Sequence, residues 1–211
     1  MVRTVRLEPG PLGREQVVAV ARGQARVELT ETVVKNLAAT RQHIDALAEA
    51  ARPVYGVSTG FGALAVRHIP RERRTALQRS LIRSHAAGAG DPVEPEVVRA
   101  LMLLRLRTLA GGHTGIRPAT AQALAGVLNA GIVPVVHEYG SLGCSGDLAP
   151  LAAVGLALMG EGEVVDRSGQ RKPAREALRA AGVEPVVLAE KEGLALTNGT
   201  DGMLGMLVLA L

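Results

Sequence analysis

Large rings are almost missing from this sequence. Tyr55, Phe61 and Tyr139 are the only aromatic residues in 211 positions, and tryptophan does not occur. The core must therefore be aliphatic, which favours close helix packing over a sandwich built on rings. Cysteine occurs once, at Cys144, so no internal disulfide can form. With no signal-peptide pattern at the start, a reducing, cytoplasmic setting is expected. No apolar run approaches the length of a membrane span, so no membrane partner is expected. Lysine is scarce too: Lys35, Lys172 and Lys191 are the only ones, and arginine makes up the rest of 24 basic residues set against 20 acidic ones. The arginines are scattered, the runs are short ("RERR" at 71–74), and no aromatics interleave with them. Nucleic acid is therefore not expected, and solvated helix faces are the better reading. The histidines lie far apart, without paired helical spacing or a neighbouring cysteine, so no metal site is expected. His113 and His137 read as structural or surface residues. No glycine loop with a following lysine offers a phosphate cradle.

What the chain does have is 47% apolar residues, enough for a real core, and 25 glycines. Residues 1–29 read as a short strand or extended piece and then a small helix. A helix is expected over 30–52, with Thr30 as its cap, Glu31 in the positive first turn, and Val34, Leu37, Ile44 and Leu47 on one face. Pro53 ends it. A glycine-rich loop follows over 54–65, containing Gly56, Gly60 and Gly62. Pro70 opens the next helix, which carries Leu77, Leu81 and Ile82 to His85, where "AAGAG" breaks it. Helices are expected at 94–110 and 117–130, then an extended stretch at 131–136. Asp147 reads as the N-cap of a helix over about 148–160, with Pro150 in its first turn. A hairpin at 162–173, a short helix at 174–181 and a final helix from about 190 complete a mainly α pattern with small β hairpins and glycine-rich loops.

The stretch "YGSLGCSGDLAP" at 139–150 sets three glycines and two serines around the only cysteine. Glycine in ordered backbone costs conformational entropy, so the cluster asks for a reason. One reading is a tight turn feeding a helix. Another is peptide chemistry. The amide nitrogen of Gly146 attacks the carbonyl carbon of Cys144, and water is lost as a five-membered ring closes. Loss of water from Ser145 then leaves an exocyclic methylidene. Gly146 has no Cβ to obstruct the approach, Ser145 supplies the leaving hydroxyl, and residue 144 need only be modest in size. A following helix N-terminus favours negative charge developing beside the ring.

"GSLGCSGDLAPLA" resembles the signature of the aromatic amino acid lyase family, which carries a methylidene-imidazolone (MIO) group. The family's usual triad is Ala-Ser-Gly. Here it is Cys144-Ser145-Gly146, which keeps the carbonyl that the ring uses. "YGVSTGFG" at 55–62 resembles the family's tyrosine loop. "SHAAGAG" at 84–90 resembles the histidine-type substrate segment, and "KEGLALTNGTDGMLG" at 191–205 resembles the asparagine helix. All four occur in the family's order and span nearly the whole chain.

The resemblance implies roles for these residues. Tyr55 corresponds to the catalytic tyrosine, acting in proton transfer or amine handling. His85 lies in the substrate pocket, and Gly62 belongs to the substrate-binding loop. Tyrosine-selective members resemble "HL" where this chain has Ser84-His85, and phenylalanine-type members carry apolar residues there. A histidine at 85 suits a hydrogen bond to an imidazole. Asn198 lies near the MIO group, orienting the ring oxygen or the substrate carboxylate. The implied reaction is non-oxidative deamination of L-histidine to urocanate and ammonia. Either the substrate amine or its imidazole adds to the electrophile, which splits one hard step into easier ones. A lyase or aminomutase acting on phenylalanine or tyrosine is the alternative within enzymes.

The implied fold is the helical one shared with fumarase and aspartase, assembled as a homotetramer. Residues 1–189 then form an N-terminal active-site domain, and 190–211 begin a central helical bundle. The apolar ending "MLGMLVLAL" at 203–211 leads us to expect a fragment of a longer enzyme. An inactive assembly module is the remaining alternative for the chain by itself.

Overall fold

In a computed structural model of the chain, residues 4–143 and 146–211 are described. Cys144 and Ser145, the first two residues of the expected ring precursor, lie outside them. Strand β1 (Thr4–Leu7), helix α1 (Arg14–Ala21) and strand β2 (Arg26–Leu29) form a small parallel crossover. Val5, Leu7 and Val27 point inward, and Arg6 and Glu28 pair on the outside. The Asn129 side chain completes the free edge of β2. Its amide donates to the Val27 carbonyl and its oxygen accepts from the Val27 N–H, both at 2.8 Å.

Helix α2 (Glu31–Glu49) starts where expected, with the Thr30 hydroxyl oxygen accepting from the Val33 N–H at 3.5 Å. Its buried stripe is Val33, Leu37, Arg41, Ile44 and Ala48. The expected face shares Leu37 and Ile44 with this stripe but takes Val34 and Leu47 where the structure has Val33, Arg41 and Ala48. Leu47 is exposed, because the true stripe admits a buried arginine and runs through Val33 and Ala48.

Helix α3 (Arg71–His85) follows a loop with a short 3-10 turn at Gly62–Leu64, and Pro70 stands just outside it at the N-cap. Beyond His85 the chain forms β3 (Ala89–Pro92) rather than a mere break. Helices α4 (Pro95–Ala110) and α5 (Pro118–Asn129) each begin on a proline, whose missing N–H is harmless at a first position. Then come β4 (Val133–Pro134), β5 (His137–Tyr139), α6 (Leu148–Leu158), β6 (Glu163–Val165), β7 (Arg171–Pro173) and α7 (Ala174–Ala180). β4, β6 and β7 make an antiparallel sheet, with the expected hairpin between the last two. β3 pairs antiparallel with β5, Ala89 opposite Tyr139, which sets the segment after His85 beside the segment leading to Gly146.

The expected final helix is two helices, α8 (Glu192–Thr197) and α9 (Asp201–Ala210), separated by Asn198–Thr200. α4 is the centre of the core. Leu101, Met102, Leu103, Leu106 and Leu109 are all at most 2% exposed, each contributing about 1.5–3 kcal/mol by leaving water. α9 lies along α4, close enough that a Cβ on Gly205 would stand 3.2 Å from that of Ala100.

The arginines also need a correction. Arg41, Arg74, Arg99 and Arg105 are buried, not solvated. Each gives its guanidinium N–H groups to backbone carbonyls: Arg74 to Ile69 and Ala48, Arg99 to Val20 and Leu128. A planar fork with five donors can be buried where carbonyls converge on it.

Candidate active site

α8 is short and mostly buried, and the motif segments meet on it. At its start, the carboxylate of Glu192 is fully buried and accepts four hydrogen bonds. The donors are the Arg117 N–H at 2.9 Å, the Arg117 guanidinium at 2.6 Å, the Thr120 hydroxyl at 2.7 Å and the Ala189 N–H at 2.8 Å. Such satisfaction is what a buried charge requires. On one flank, the Gly193 N–H donates to the Gln78 side chain of α3 at 2.9 Å. On another, Leu194 lies against Gly56 of the 54–69 loop. Lys191, at the N-cap in a left-handed conformation, lays its stem near the same glycine, and burial pushes its ammonium pKa down.

At the far end of α8 the helix is broken by a charge. Arg105 reaches out from α4 and donates through Nη1 to the carbonyls of Ala195 and Asn198, each at 2.9 Å. Its Nη2 donates to the Asp201 carboxylate at 2.5 Å. One guanidinium thus holds the last turn of α8 and the first residue of α9. Burial pushes the Asp201 carboxyl above its ordinary value, Arg105 pulls it back, and the charge on Asp147 adds to the rise. Gly199 fits between the two helices because it has no side chain; a Cβ there would overlap the Arg105 guanidinium and the Asp201 carboxylate.

The 139–150 segment is fastened to this break. Asp147 sits at the N-cap position of α6, as expected, but its side chain does not cap that helix. It accepts from the Gly202 and Met203 N–H groups at 2.7 and 3.1 Å, in the first turn of α9, and from the Ser141 hydroxyl. A carboxylate suits that positive helix end. The Asp147 N–H donates to the Gly199 carbonyl at 2.6 Å. Gly146 has φ +137°, a region that favours glycine, and a Cβ there would meet the Gly199 carbonyl oxygen at 3.0 Å. Its N–H donates to the Gly143 carbonyl at 3.0 Å. A cavity of about 50 Å³ adjoins Ser141, Asp147, Pro150, Gly202 and Met203.

Tyr55 is 49% exposed and meets Phe61 edge to face, with ring centroids 6.1 Å apart. Their loop is pinned by the buried Ser58, whose hydroxyl oxygen accepts from the Val54 N–H at 2.9 Å and whose carbonyl accepts from Ile69. Gly62 begins the 3-10 turn at φ +54°, facing open space. His85 ends α3, half-buried, with Nδ1 2.9 Å from the Leu81 carbonyl and 3.0 Å from the Ser84 hydroxyl. Because a carbonyl can only accept, Nδ1 carries the proton in neutral His85, and Nε2 is left as an acceptor. Asn198 is exposed at the C-cap of α8, with its carbonyl turned onto Arg105.

The structure therefore joins Gly146 to the neighbour of Asn198 and sets the Tyr55 loop on the same helix. Among the described residues no hydrogen bond links the side chains of Tyr55, His85 and Asn198 to one another. Arg105, Asp201 and the true partner of Asp147 escaped the sequence reading. One signal was available for Arg105: a charge inside the apolar run "MLLRLRTLA" must find buried acceptors.

Residues 12–211 match the family described as aromatic amino acid lyase. The chain is 68% identical to histidine ammonia-lyase of Streptomyces griseus over 197 residues, covering 93% of this chain and 38% of that protein. Among solved structures it is similar to histidine ammonia-lyase from Trypanosoma cruzi, with a TM-score of 0.90 and 36% identity, covering 98% of this chain and 40% of that one. It is also similar to tyrosine aminomutase from Streptomyces globisporus, with a TM-score of 0.91 and 39% identity, covering 98% and 38%. The chain thus spans about two-fifths of the length of these relatives.

Proposed function

The chain belongs to the aromatic amino acid lyase family, and on that premise we propose that the complete protein deaminates L-histidine non-oxidatively to urocanate and ammonia. The substrate follows from the identity to histidine ammonia-lyases and from His85, whose Nε2 is free to accept from an imidazole N–H. The carrying observation for the site is the bond from Asp147 to Gly199, which ties the end of the Cys144-Ser145-Gly146 triad to the neighbour of Asn198.

The residues present fit an MIO group formed from that triad. Gly143 and Gly146, which flank Cys144 and Ser145 in sequence, both have positive φ and share a hydrogen bond, and Gly146 approaches Gly199 as no larger residue could. That group supplies an uncharged electrophile to the substrate. The chain's own residues do the rest. Tyr55 holds or moves a proton at its hydroxyl, near the substrate amine or β-carbon. His85 receives the imidazole. Asn198 directs its amide toward the ring oxygen or the substrate carboxylate. Gly62 leaves backbone open beside the substrate. α6, beginning at Leu148, offers its positive end to charge developing beside Gly146. The ring serves in place of a metal or a diffusible cofactor.

By the same reading, residues 1–189 form the N-terminal active-site domain and 190–211 the start of the central bundle. The assembly is a homotetramer in the cytoplasm. Among the described residues no helix is long and apolar enough to cross a membrane.

The test is turnover of histidine, phenylalanine and tyrosine by the full-length protein, with products identified. Urocanate formed at least about a hundredfold faster than the other products is expected, because a site built to hydrogen-bond one ring discriminates strongly against others. Preferential cinnamate or coumarate formation, or a β-amino acid product, would refute the substrate assignment.

A further inference from the structure

The reach of Arg105 into the α8–α9 break is more than a packing contact. It is 2% exposed, it originates on the central helix, and it uses both ends of its fork: two carbonyls on Nη1, one carboxylate on Nη2. One of those carbonyls belongs to Asn198 itself. No proline interrupts 191–211; the Asn198-Gly199 dipeptide favours a turn, and Arg105 supplies the tertiary contact at it. In a continuous helix the Asn198 carbonyl would bond forward along the helix axis, and its side chain would point along a different direction. At the break, Asn198 has φ −99° and ψ 91°, outside helical values.

We propose that Arg105 is a positioning residue for the reaction. It acts through Asn198, by holding the backbone of residue 198 out of the helix and against the loop that carries Gly146. The inference rests on the lyase reading above and deepens it. Two further observations support it. Gly199 has only the space that Arg105 and Asp201 leave, so the three residues form one fitted unit. Asp147 bonds to both Gly199 and Gly202, so a movement of the break is transmitted to the triad loop. Lysine cannot substitute, because a point ammonium lacks the planar fork that serves two carbonyls and a carboxylate together.

The experiment is a double-mutant cycle in the full-length enzyme: wild type, Arg105→Lys, Asn198→Ala and the double variant. kcat is expressed per subunit carrying the ring, counted by intact mass. Arg105→Lys is expected to lower that kcat about tenfold in the wild-type background and less than twofold in the Asn198→Ala background, because residues acting as a unit are not additive. An equal loss in both backgrounds means a general structural effect and overturns the inference, as does an unchanged kcat. Should Arg105→Lys fail to fold, isosteric Asp201→Asn replaces it in the same cycle. A loss of about threefold, absent when Asn198 is alanine, is then expected, and an additive or absent effect overturns it. A wild-type enzyme that carries the ring but does not turn over histidine sinks the substrate reading alone; the cycle is then read with the amino acid it does consume.

Discussion

The two halves of the site are held by different physics. Residues 146–147 and 198–203 are fastened by buried charge: Asp147, Asp201 and Arg105 are all at most 4% exposed, Asp147 and Arg105 each make several directed hydrogen bonds, and Asp201 accepts from Arg105. The 54–69 loop is held by backbone turns, the buried hydroxyls of Ser58 and Thr59, one edge-to-face ring contact and, at its end alone, the Arg74 guanidinium on the Ile69 carbonyl, with Tyr55, Leu64 and Val66 exposed. The first arrangement fixes direction and tolerates little. The second leaves the Tyr55 side chain half exposed.

Mutations break this contrast in a graded way. Arg105→Met has the largest expected effect. It leaves Asp201 charged and unpaired in the core and should lower unfolding stability by about 3–5 kcal/mol, read by urea denaturation. Gly199→Ala comes next. Its methyl must displace the Arg105 guanidinium, and overpacking of this kind lowers stability by about 1–3 kcal/mol, with the ring-bearing fraction falling in parallel by intact mass.

Phe61→Leu belongs to the looser half. It removes the edge contact to Tyr55 and should lower stability by only about 0.5–1 kcal/mol, while kcat/KM falls more than stability does.

The smallest effect lies outside both halves. Arg83, hydrogen-bonded to Glu161 at 2.6 Å, holds that carboxyl below its ordinary value, with burial opposing and Arg79 assisting. A depressed folded-state pKa gives stability that is present above the ordinary carboxylate range and is lost as pH falls. Glu161→Gln should therefore narrow the stability difference between pH 7 and pH 4, by less than about 1 kcal/mol.

The same contrast explains what was legible in the sequence. Features with local causes were readable: the Thr30 cap, the extents of α4 and α5, the hairpin of β6 and β7, and the glycine-rich loop around Tyr55. Features with distant causes were not. The parallel pairing of β1 with β2 and the pairing of β3 with β5 join segments whose local composition gives no sign of a partner. The break at Asn198–Thr200 has a local sign in the Asn198-Gly199 dipeptide, but the residue that anchors it, Arg105, stands on another helix. Asp147 was placed correctly at a helix start, but its carboxylate serves α9 instead of α6, because the positive end of α9 is brought to it by the fold. The motif residues are named by resemblance alone, and the buried Arg105 beside Asn198 is visible only in the fold.

The central proposal is that residues 144–146 become an electrophile. The measurement that tests it most directly is the intact mass of the full-length protein, with fragmentation across residues 139–150. The account predicts a deficit of two waters located at Cys144 to Gly146. An unmodified triad in a folded, full-length protein would contradict it.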